Sequence, residues 1–495
     1  MFETPVEQSI SSPGQPIRVT PVVETIVTNA SPLEAYLSLR SSGSGSFLLE
    51  SAELGGKSAR FSFIGSSNSS ISIEGGKVYF NGSSLSSPGE SPVDTLKRIM
   101  SRYRTEKPLF MKDGSICEEN AQLPLFFGGL AGYISYDFVR HIDNIGSTAI
   151  DNLGCKDADL IFVKDLAVFD HATGKVLLIS NMIGDEGTDD AARAIGSMKE
   201  RLASTVPVPE LSAMEKDLRI SYSVSKERFE EMVRWAKEYI LDGDAFQIVL
   251  SQRIEVEEDI DPVALYRTLK MINPSPYMYF LEYEDSAIVG SSPEILCKVS
   301  DDRVILRPIA GSRPRGRTPE EDIALEAEMK ADPKELAEHV MLVDLGRNDA
   351  GKVSKFGSVR VDNFLDVEKY SHVQHIVSNV VGELGDGMDA IDVLRATFPA
   401  GTVSGAPKTR AMQIIEELEG RKRGLYAGCV GYFCFNNNTD MAIAIRTVLL
   451  KNGKAYVQAG AGIVMDSVPE NEYIETLNKG AAMLKALRRS VRGGE

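Results

Sequence analysis

The chain predicts an α+β fold, and three observations in its 495 residues carry that reading. Stretches of alternating apolar residues and stretches of helical periodicity follow one another without the regular strand–helix–strand spacing of a parallel sheet. No repeat period emerges. The segment Ser204-Thr205-Val206-Pro207-Val208-Pro209-Glu210 sets two prolines between distinct patterns, where neither a helix nor a central strand can continue. The expected organisation is a flexible arm over residues 1–20, an N-terminal domain over 21–210 and a second domain over 211–495.

With 43% hydrophobic and 25% charged residues, the composition is that of a globular protein long enough for two or three domains or one large composite core. A formal charge of −17 opposes binding to phosphate backbones or anionic membranes. A small anionic ligand then needs a local basic or metal-lined pocket. The sequence shows neither a basic, apolar leader nor an apolar run of bilayer length, which predicts a cytoplasmic protein. Cys117, Cys155, Cys297, Cys429 and Cys434 are scattered without a CxxC pair and read as reduced and structural.

Taken in order, Ser31 caps a short helix, and strands are expected over 47–51 and 60–65. Residues 69–73 and 77–80 form a hairpin turning at Gly75-Gly76. A helix over 91–103, a glycine-punctuated strand and turn over 128–137, strands over 160–169 and 176–180 and a helix over 189–202 complete the first half. Beyond the prolines, a helix over 225–242 buries Phe229, Met232, Val233, Ala236 and Ile240. Strands at 247–253, 277–283, 287–290 and 375–381 alternate with helices at 262–271, 320–329, 333–345 and 390–396. The closing third reads as a helix over 409–418, strands over 428–435, 441–450 and 455–459, and a final helix.

Two of these helices carry paired carboxylates. Asp332 is placed to cap the first and Pro333 suits its first turn; Leu336, Val340, Met341, Val343 and Leu345 make it apolar nearly all round, so it reads as buried, with Glu338 going in with it and Glu335 three residues before on the same face. In the last helix, Ser467-Val468-Pro469-Glu470 resembles a capping box, Ile474, Leu477, Ala481 and Leu484 form the core stripe, and Glu472, Glu475 and Lys479 share another face. Carboxylates driven toward a core need protons or a cation, and Mg²⁺ held by their oxygens, with positions left for water and substrate, meets that need. The plainer alternative is two solvated faces with Glu475 and Lys479 as an ordinary i,i+4 pair.

Gly401-Thr402-Val403-Ser404-Gly405-Ala406-Pro407-Lys408-Thr409 could hold an anion on its backbone N–H groups and Lys408, although its glycine spacing does not match a nucleotide-binding P-loop. Gly460-Ala461-Gly462 after a strand either admits a ligand close to the backbone or makes a tight turn. Arg446 within an apolar strand needs a carboxylate, from the protein or from a ligand. His375 is a satisfied core residue or an acid–base group, and Glu294 in Gly290-Ser291-Ser292-Pro293-Glu294 is a cap or, if buried, a proton donor.

Together these pieces resemble the chorismate-utilising enzymes, over nearly the whole chain from about Ser31 to Leu487. The motifs that carry the resemblance are 290–296, 307–316, 338–349, 398–408 and 460–479. Within that family, isochorismate and salicylate synthases have a water-activating lysine where this chain has Gln247, and members of the covalent type have a lysine nucleophile where it has Ala310. A glutamine cannot deprotonate water and an alanine cannot attack a ring, so the resemblance implies the ammonia-using branch.

That resemblance further implies Mg²⁺ on Glu338 and Glu475, with Glu335 and Glu472 as nearby or water-mediated ligands. Chorismate would be gripped by Tyr426, Arg446, Gly460, Ala461, Gly462 and Lys479, with Gly311, Ser312 and Thr402 lining the pocket. Glu294 would act as acid and His375 in the loss of pyruvate. Ser312 stands where the family usually has threonine, keeping the hydroxyl and losing a methyl. Leu48-Leu49-Glu50-Ser51 and Asn273-Pro274-Ser275-Pro276-Tyr277-Met278 look like the family's tryptophan feedback site, with Ser51, Pro276, Tyr277 and Met278 as contacts. No glutaminase elbow is present, since Ala427-Gly428-Cys429-Val430-Gly431 lacks its first glycine. Ammonia from glutamine then implies a separate glutamine amidotransferase subunit in a heterotetramer. The competing readings are an aminodeoxychorismate-forming member and a catalytically silent tryptophan sensor.

Overall fold

The computed structural model describes residues 15–41, 45–51, 60–112, 115–117, 123–211, 215–369 and 373–492. Among them, strands assemble into a 15-stranded and a 12-stranded sheet, mostly antiparallel, with helices around them, so the fold is α+β. The larger sheet runs from Gln247–Val256 and Lys454–Ile463 through Ser286–Ser292 and Tyr277–Glu282 to Gly45–Glu50 and on to Ile17–Ile26. The smaller runs from Ile309–Pro314 and Val373–Glu383 through Ile295–Ser300 and Cys429–Cys434 to Gly129–Ile134 and Ser70–Glu74.

One face of each sheet packs on the other. Phe47, Phe63, Phe126, Phe162, Tyr279 and Tyr432 belong to a single buried cluster between them. Phe126 stacks on Tyr432 at 4.4 Å between ring centroids and meets Phe63 edge-on at 5.6 Å, contacts worth about 1 kcal/mol each beyond their burial. The other face of the larger sheet is covered by Pro32–Leu39, Thr188–Ala203, Pro262–Ile272 and Pro469–Arg488, and further along by Lys226–Leu241 and Lys408–Glu419.

The sequence pattern around residues 204–210 marks a connection without helix or strand, but both sheets draw on the chain from either side of it. Tyr277–Glu282 pairs with Gly45–Glu50, and Cys429–Cys434 with Gly129–Ile134. The two halves therefore share their cores. The expected arm is shorter than 20 residues, because a strand begins at Ile17 with Val19, Val22 and Val23 fully buried; residues 1–14 lie outside the described part.

Two stretches expected as single strands each divide between the sheets. Residues 160–169 split at Lys164 into Ala158–Val163 in the smaller sheet and Asp165–Asp170 in the larger. Residues 441–450 split into Thr439–Ile443 and Thr447–Lys451, and Arg446 lies in the break with φ +52 rather than inside a strand. A third crossing, Pro293-Glu294, joins Ser286–Ser292 to Ile295–Ser300. The second and third crossings brace each other: Ile443 N–H donates to Glu294 O at 2.9 Å, Ser291 N–H to Arg446 O at 3.1 Å, and Ser292 Oγ to Ile443 O at 2.7 Å. Glu294 and Arg446 are thereby fixed side by side at the seam between the sheets.

Other local expectations change as well. Gly460, Ala461 and Gly462 lie inside the Lys454–Ile463 strand, paired with Gln247–Val256, and form no loop. Residues 401–409 fold as a short helix, Gly401–Ser404, a two-residue strand and the start of Lys408–Glu419. Lys408 Nζ donates to Asp349 Oδ2 at 2.7 Å and to Thr397 O at 2.9 Å, so its charge is already matched inside the protein and no anion cradle forms there. The final helix is capped by Val468 without a side-chain bond, while Ser467 Oγ accepts from Val464 N–H at 3.1 Å. Its buried stripe is Glu472, Thr476, Gly480, Met483 and Leu487, and Ile474 is exposed. In Pro333–Gly351 the buried residues are His339, Leu342, Val343, Gly346, Asp349 and Ala350; Val340 faces solvent, so that helix is one-sided.

Arg423, 1% exposed, ties the seam to the helices. It donates to both oxygens of Glu419 at 2.6 and 2.9 Å, to Val403 O at 2.7 Å and to Val249 O at 2.6 Å, and its guanidinium lies over Tyr136 and Tyr426. Arg423→Met leaves the Glu419 carboxylate and two carbonyls without this donor. The expected loss is about 3–5 kcal/mol in urea unfolding; a change below about 1 kcal/mol would show that the pair carries no net stability.

Candidate active site

A cavity of about 610 Å³ opens at the seam. Its walls come from Gln247–Val256 and Lys454–Ile463 of the larger sheet, Ile309–Pro314 and Val373–Glu383 of the smaller, the two braced crossings, and the helices Gly401–Ser404, Pro333–Gly351 and Pro469–Arg488. Each helix is placed by a local rule. Asp332 caps the middle one, accepting from Lys334 N–H at 3.0 Å, and Pro333 and Pro469 occupy first turns where a missing N–H costs nothing.

The cavity gathers Glu294, His375, Lys479, Thr402, Gly311, Ser312, Tyr426, Arg446, Gly460 and Gly462, together with Glu335, Glu338, Glu472 and Glu475. Ala461 is not among its lining residues: its side chain is fully buried against the outer helices, as period 2 requires between two inward glycines. Glycine at 460 and 462 serves close approach, since a Cβ at 460 would meet the Tyr426 hydroxyl at 2.6 Å and one at 462 the Gln247 amide at 2.7 Å. Lys334, Asn478 and Gln458 also line the cavity. Sequence reasoning passed over them; the spacing of Lys334 four residues before Glu338 was the available signal for the first.

Electrostatics differentiate these groups. Burial pushes the Glu294 carboxyl up to about 7, offset in part by the Thr402 hydroxyl and the Lys479 ammonium. His375 donates from Nδ1 to Gly311 O at 2.8 Å, which leaves Nε2 as the basic nitrogen of a ring that burial holds neutral. That carbonyl is presented by Gly311 at φ +67. Arg446 is pushed toward lower pKa by burial, with Tyr426 and Glu475 opposing, and has no ion pair within 4 Å among the described residues. Burial drives it to find an anion, and the cavity is the open side.

The four remaining carboxylates face one another across two helices. Burial raises Glu338, with Glu335 adding to the shift, while Gln247 Nε2 donates to its Oε1 at 3.2 Å. Burial also raises Glu472, with Glu475 adding to it. Glu335 accepts from Arg313 at 2.9 Å and Glu475 pairs with Lys479 at 2.7 Å, while Lys479 also donates to Gly460 O at 3.0 Å. Glu335 and Glu475 thus have cations of their own, whereas Glu338 and Glu472 have no ion pair within 4 Å among the described residues, and a divalent ion would offset their charge. No three His, Cys, Asp or Glu side chains among the described residues converge tightly enough to cage a metal. This donor set fits an ion that keeps waters and takes part of its coordination from a ligand, the habit of Mg²⁺.

The tryptophan-motif residues lie elsewhere. Met278 pairs with Glu50 across neighbouring strands and is buried beneath helices, whereas Tyr277 points to the opposite face, donating to Asp440 at 3.0 Å and lining a separate cleft of about 820 Å³. Ser51 and Pro276 are partly buried at the ends of those two strands and lie outside that cleft's walls.

Fold and site define a chorismate-binding enzyme. The family described as chorismate binding enzyme matches residues 81–485, and the chain belongs to it. Within it, the chain falls among the proteins called anthranilate synthase component 1. It is 44% identical to the one from Aquifex aeolicus (94% of this chain, 93% of the relative) and 46% identical to the one from Acetivibrio thermocellus (89% and 90%). The crystal structure of anthranilate synthase component I from Streptococcus pneumoniae TIGR4 superposes with a TM-score of 0.76 at 38% identity, covering 93% of this chain and 99% of that one. The Escherichia coli isochorismate synthase MenF shares the fold at 18% identity, with a TM-score of 0.69. No helix among the described residues is long and apolar enough to cross a membrane.

Proposed function

We propose that the chain converts chorismate and ammonia to anthranilate and pyruvate, the first committed step toward tryptophan, with ammonia released from glutamine by an amidotransferase subunit in a heterotetramer. The observation that supports this most is a nearly buried, unpaired Arg446 facing four convergent glutamates across one cavity. A dicarboxylate with an accompanying divalent ion satisfies both.

Glu338 and Glu475 would hold Mg²⁺, with Glu335 and Glu472 one shell out; bound there, the ion supplies an electrophile to the ring carboxylate. Arg446, Tyr426, Lys479 and the close-packed backbone at Gly460 and Gly462 grip the carboxylates, and Gly311, Ser312 and Thr402 shape the pocket. Glu294, protonated near neutrality, gives its proton to the departing C4 hydroxyl. The C4–O bond breaks, water leaves, and ammonia bonds C2 and sheds one proton, giving aminodeoxyisochorismate. His375 Nε2 then accepts the proton that C2 loses as the C3–O bond breaks; enolpyruvate departs and takes up a proton at its methylene carbon to become pyruvate, so the sum of protons is unchanged. Gln247, hydrogen-bonded to Glu338, has no basic group with which to generate hydroxide, which favours ammonia over water as nucleophile.

The test is direct: protein, chorismate, Mg²⁺ and ammonium should yield anthranilate fluorescence and pyruvate in equal amounts. Isochorismate or aminodeoxychorismate as the sole product would overturn the reading. Tryptophan is proposed as feedback inhibitor through Ser51, Pro276, Tyr277 and Met278, supported by the direct pairing of the Glu50 and Met278 strands. Ser51→Phe should raise the tryptophan concentration for half-inhibition about tenfold or more while uninhibited turnover is retained; unchanged inhibition removes Ser51 from the effector site.

A further inference from the structure

Beside Glu294 lies a small chamber of about 50 Å³ that is partly open to solvent. It shares Glu294, Leu342 and Thr402 with the active-site cavity. On its far side it shares Leu345 and Asp349 with an outer pocket of about 600 Å³, whose walls include Asn348, Lys352, Arg395 and Lys408. The chamber thus borders both the active-site cavity at Glu294 and the outer pocket at Asp349.

Its lining is polar at both ends. Arg307 Nε, on one of its lining residues, is buried without a hydrogen-bond partner among the described residues, and Thr402 Oγ1, also buried, has only the Glu294 carboxyl to interact with. Asp349, 4% exposed, accepts from Lys408, whose side chain is 11% exposed, at 2.7 Å through one oxygen and from the half-exposed Lys352 at 2.9 Å through the other. Buried polar atoms in a space of this size ordinarily hold water, and about 50 Å³ admits about three molecules. An apolar void of the same volume would stay dry, but Glu294, Thr402, Arg307 and Asp349 are among the residues that bound this one.

We propose that this chamber holds a water chain that carries protons between the surface at Lys352 and Lys408 and the Glu294 carboxyl. The proposal rests on the assignment of Glu294 as the acid in the reaction above. When Glu294 gives its proton to the departing hydroxyl it becomes a carboxylate while the intermediate still fills the front of the cavity. A chamber water then gives Glu294 a proton, the deficit passes outward along the chain, and solvent at the outer pocket makes it good. The proton shed by the new C–N group goes to solvent separately, so the sum is unchanged.

The charged and titratable groups that share a cavity with Glu294 are Lys479, Tyr426, Arg446, His375, Lys334 and the four glutamates on the active-site side, and Arg307 and Asp349 on the chamber side. Asp349, Lys408 and Lys352 act here as positioning residues at the outer end. Burial lowers the Lys408 pKa, with Asp349 the main group opposing the shift.

Ala400→Leu fills the chamber from a residue with no part in substrate binding, and Asp349→Asn alters its outer end with little change of shape. Each is compared with wild type and with Glu294→Gln in the chorismate–ammonium assay, at rising concentrations of a small buffer acid such as imidazolium. In both variants kcat should fall about tenfold, KM for chorismate should hold, and added buffer should restore turnover. A high-resolution crystal structure of the wild type should show ordered waters from Glu294 to Asp349. A dry chamber, or folded variants with normal kcat or a loss insensitive to buffer, overturns the relay. If Glu294→Gln abolishes turnover while the other two behave as wild type, only the relay falls. If Glu294→Gln itself retains turnover, the assignment of the acid falls and the relay with it.

Discussion

Glu294→Gln should reduce kcat by about a thousandfold with little change in chorismate binding, because it keeps the shape and polarity of the side chain and removes only the transferable proton. The wild-type pH profile should show the same group. Burial pushes this carboxyl up to about 7, so the active, protonated form predominates below that pH and turnover falls as pH rises through it. Stability follows the same sign. A carboxyl raised in the folded state favours folding less as pH rises from its unfolded value to its folded one, and the full penalty is present above about 7. Glu294→Gln should therefore be more stable than wild type at pH 8, by about 2–3 kcal/mol, and nearly equal to it at pH 4. A dead enzyme that melts higher at alkaline pH identifies a residue held in strain for chemistry; a variant that loses both activity and stability would mark Glu294 as structural.

The second large effect is expected at the paired carboxylates. Glu338→Gln leaves the Gln247 contact able to form but removes a charge that burial and Glu335 already make costly. Without a metal, relieving that cost should stabilise the protein. With one, kcat/KM should fall by about a thousandfold, the several kcal/mol that a divalent ion contributes at a developing charge. Metal affinity in the wild type should weaken as pH drops, because Glu338 and Glu472 have raised pKa values and must ionise to serve as ligands. Calorimetric titration with Mg²⁺ at pH 5, just above the ordinary carboxyl value, and at pH 8 measures this. Equal affinity at both, or normal turnover in Glu338→Gln, would separate these side chains from the metal.

The charged residues that line the cavity were largely legible in the sequence, because their side-chain type and local spacing single them out. Glu335 and Glu338, three apart on a helix capped by Asp332, needed no tertiary information to be placed on one face. What joined them to Arg446 and Glu294 did. The switch of the chain from one sheet to the other at Pro293-Glu294 and at residues 444–446 has no periodic signature: both flanking strands are apolar, and only long-range pairing decides which sheet each enters. The same gap explains Gly460-Ala461-Gly462. Glycines after a strand resemble a turn, yet here they continue the strand because Tyr426 and Gln247 need the space above them. Lys408 looked available to an anion, and its partner Asp349 lies 59 residues away. The helix stripes were misplaced where polar residues, such as His339, Asp349, Glu472 and Thr476, took buried positions that hydrophobicity alone assigns to Leu or Ile.

The most direct measurement is a crystal structure of the protein with Mn²⁺ in place of Mg²⁺ and a dicarboxylate ring analogue of chorismate, read by anomalous scattering. The account predicts a single metal peak between Glu338 and Glu475, touching a ligand carboxylate and water, with Arg446 against the ligand. A peak outside this cavity, or a bound analogue whose carboxylates meet neither the metal nor Arg446, would contradict it.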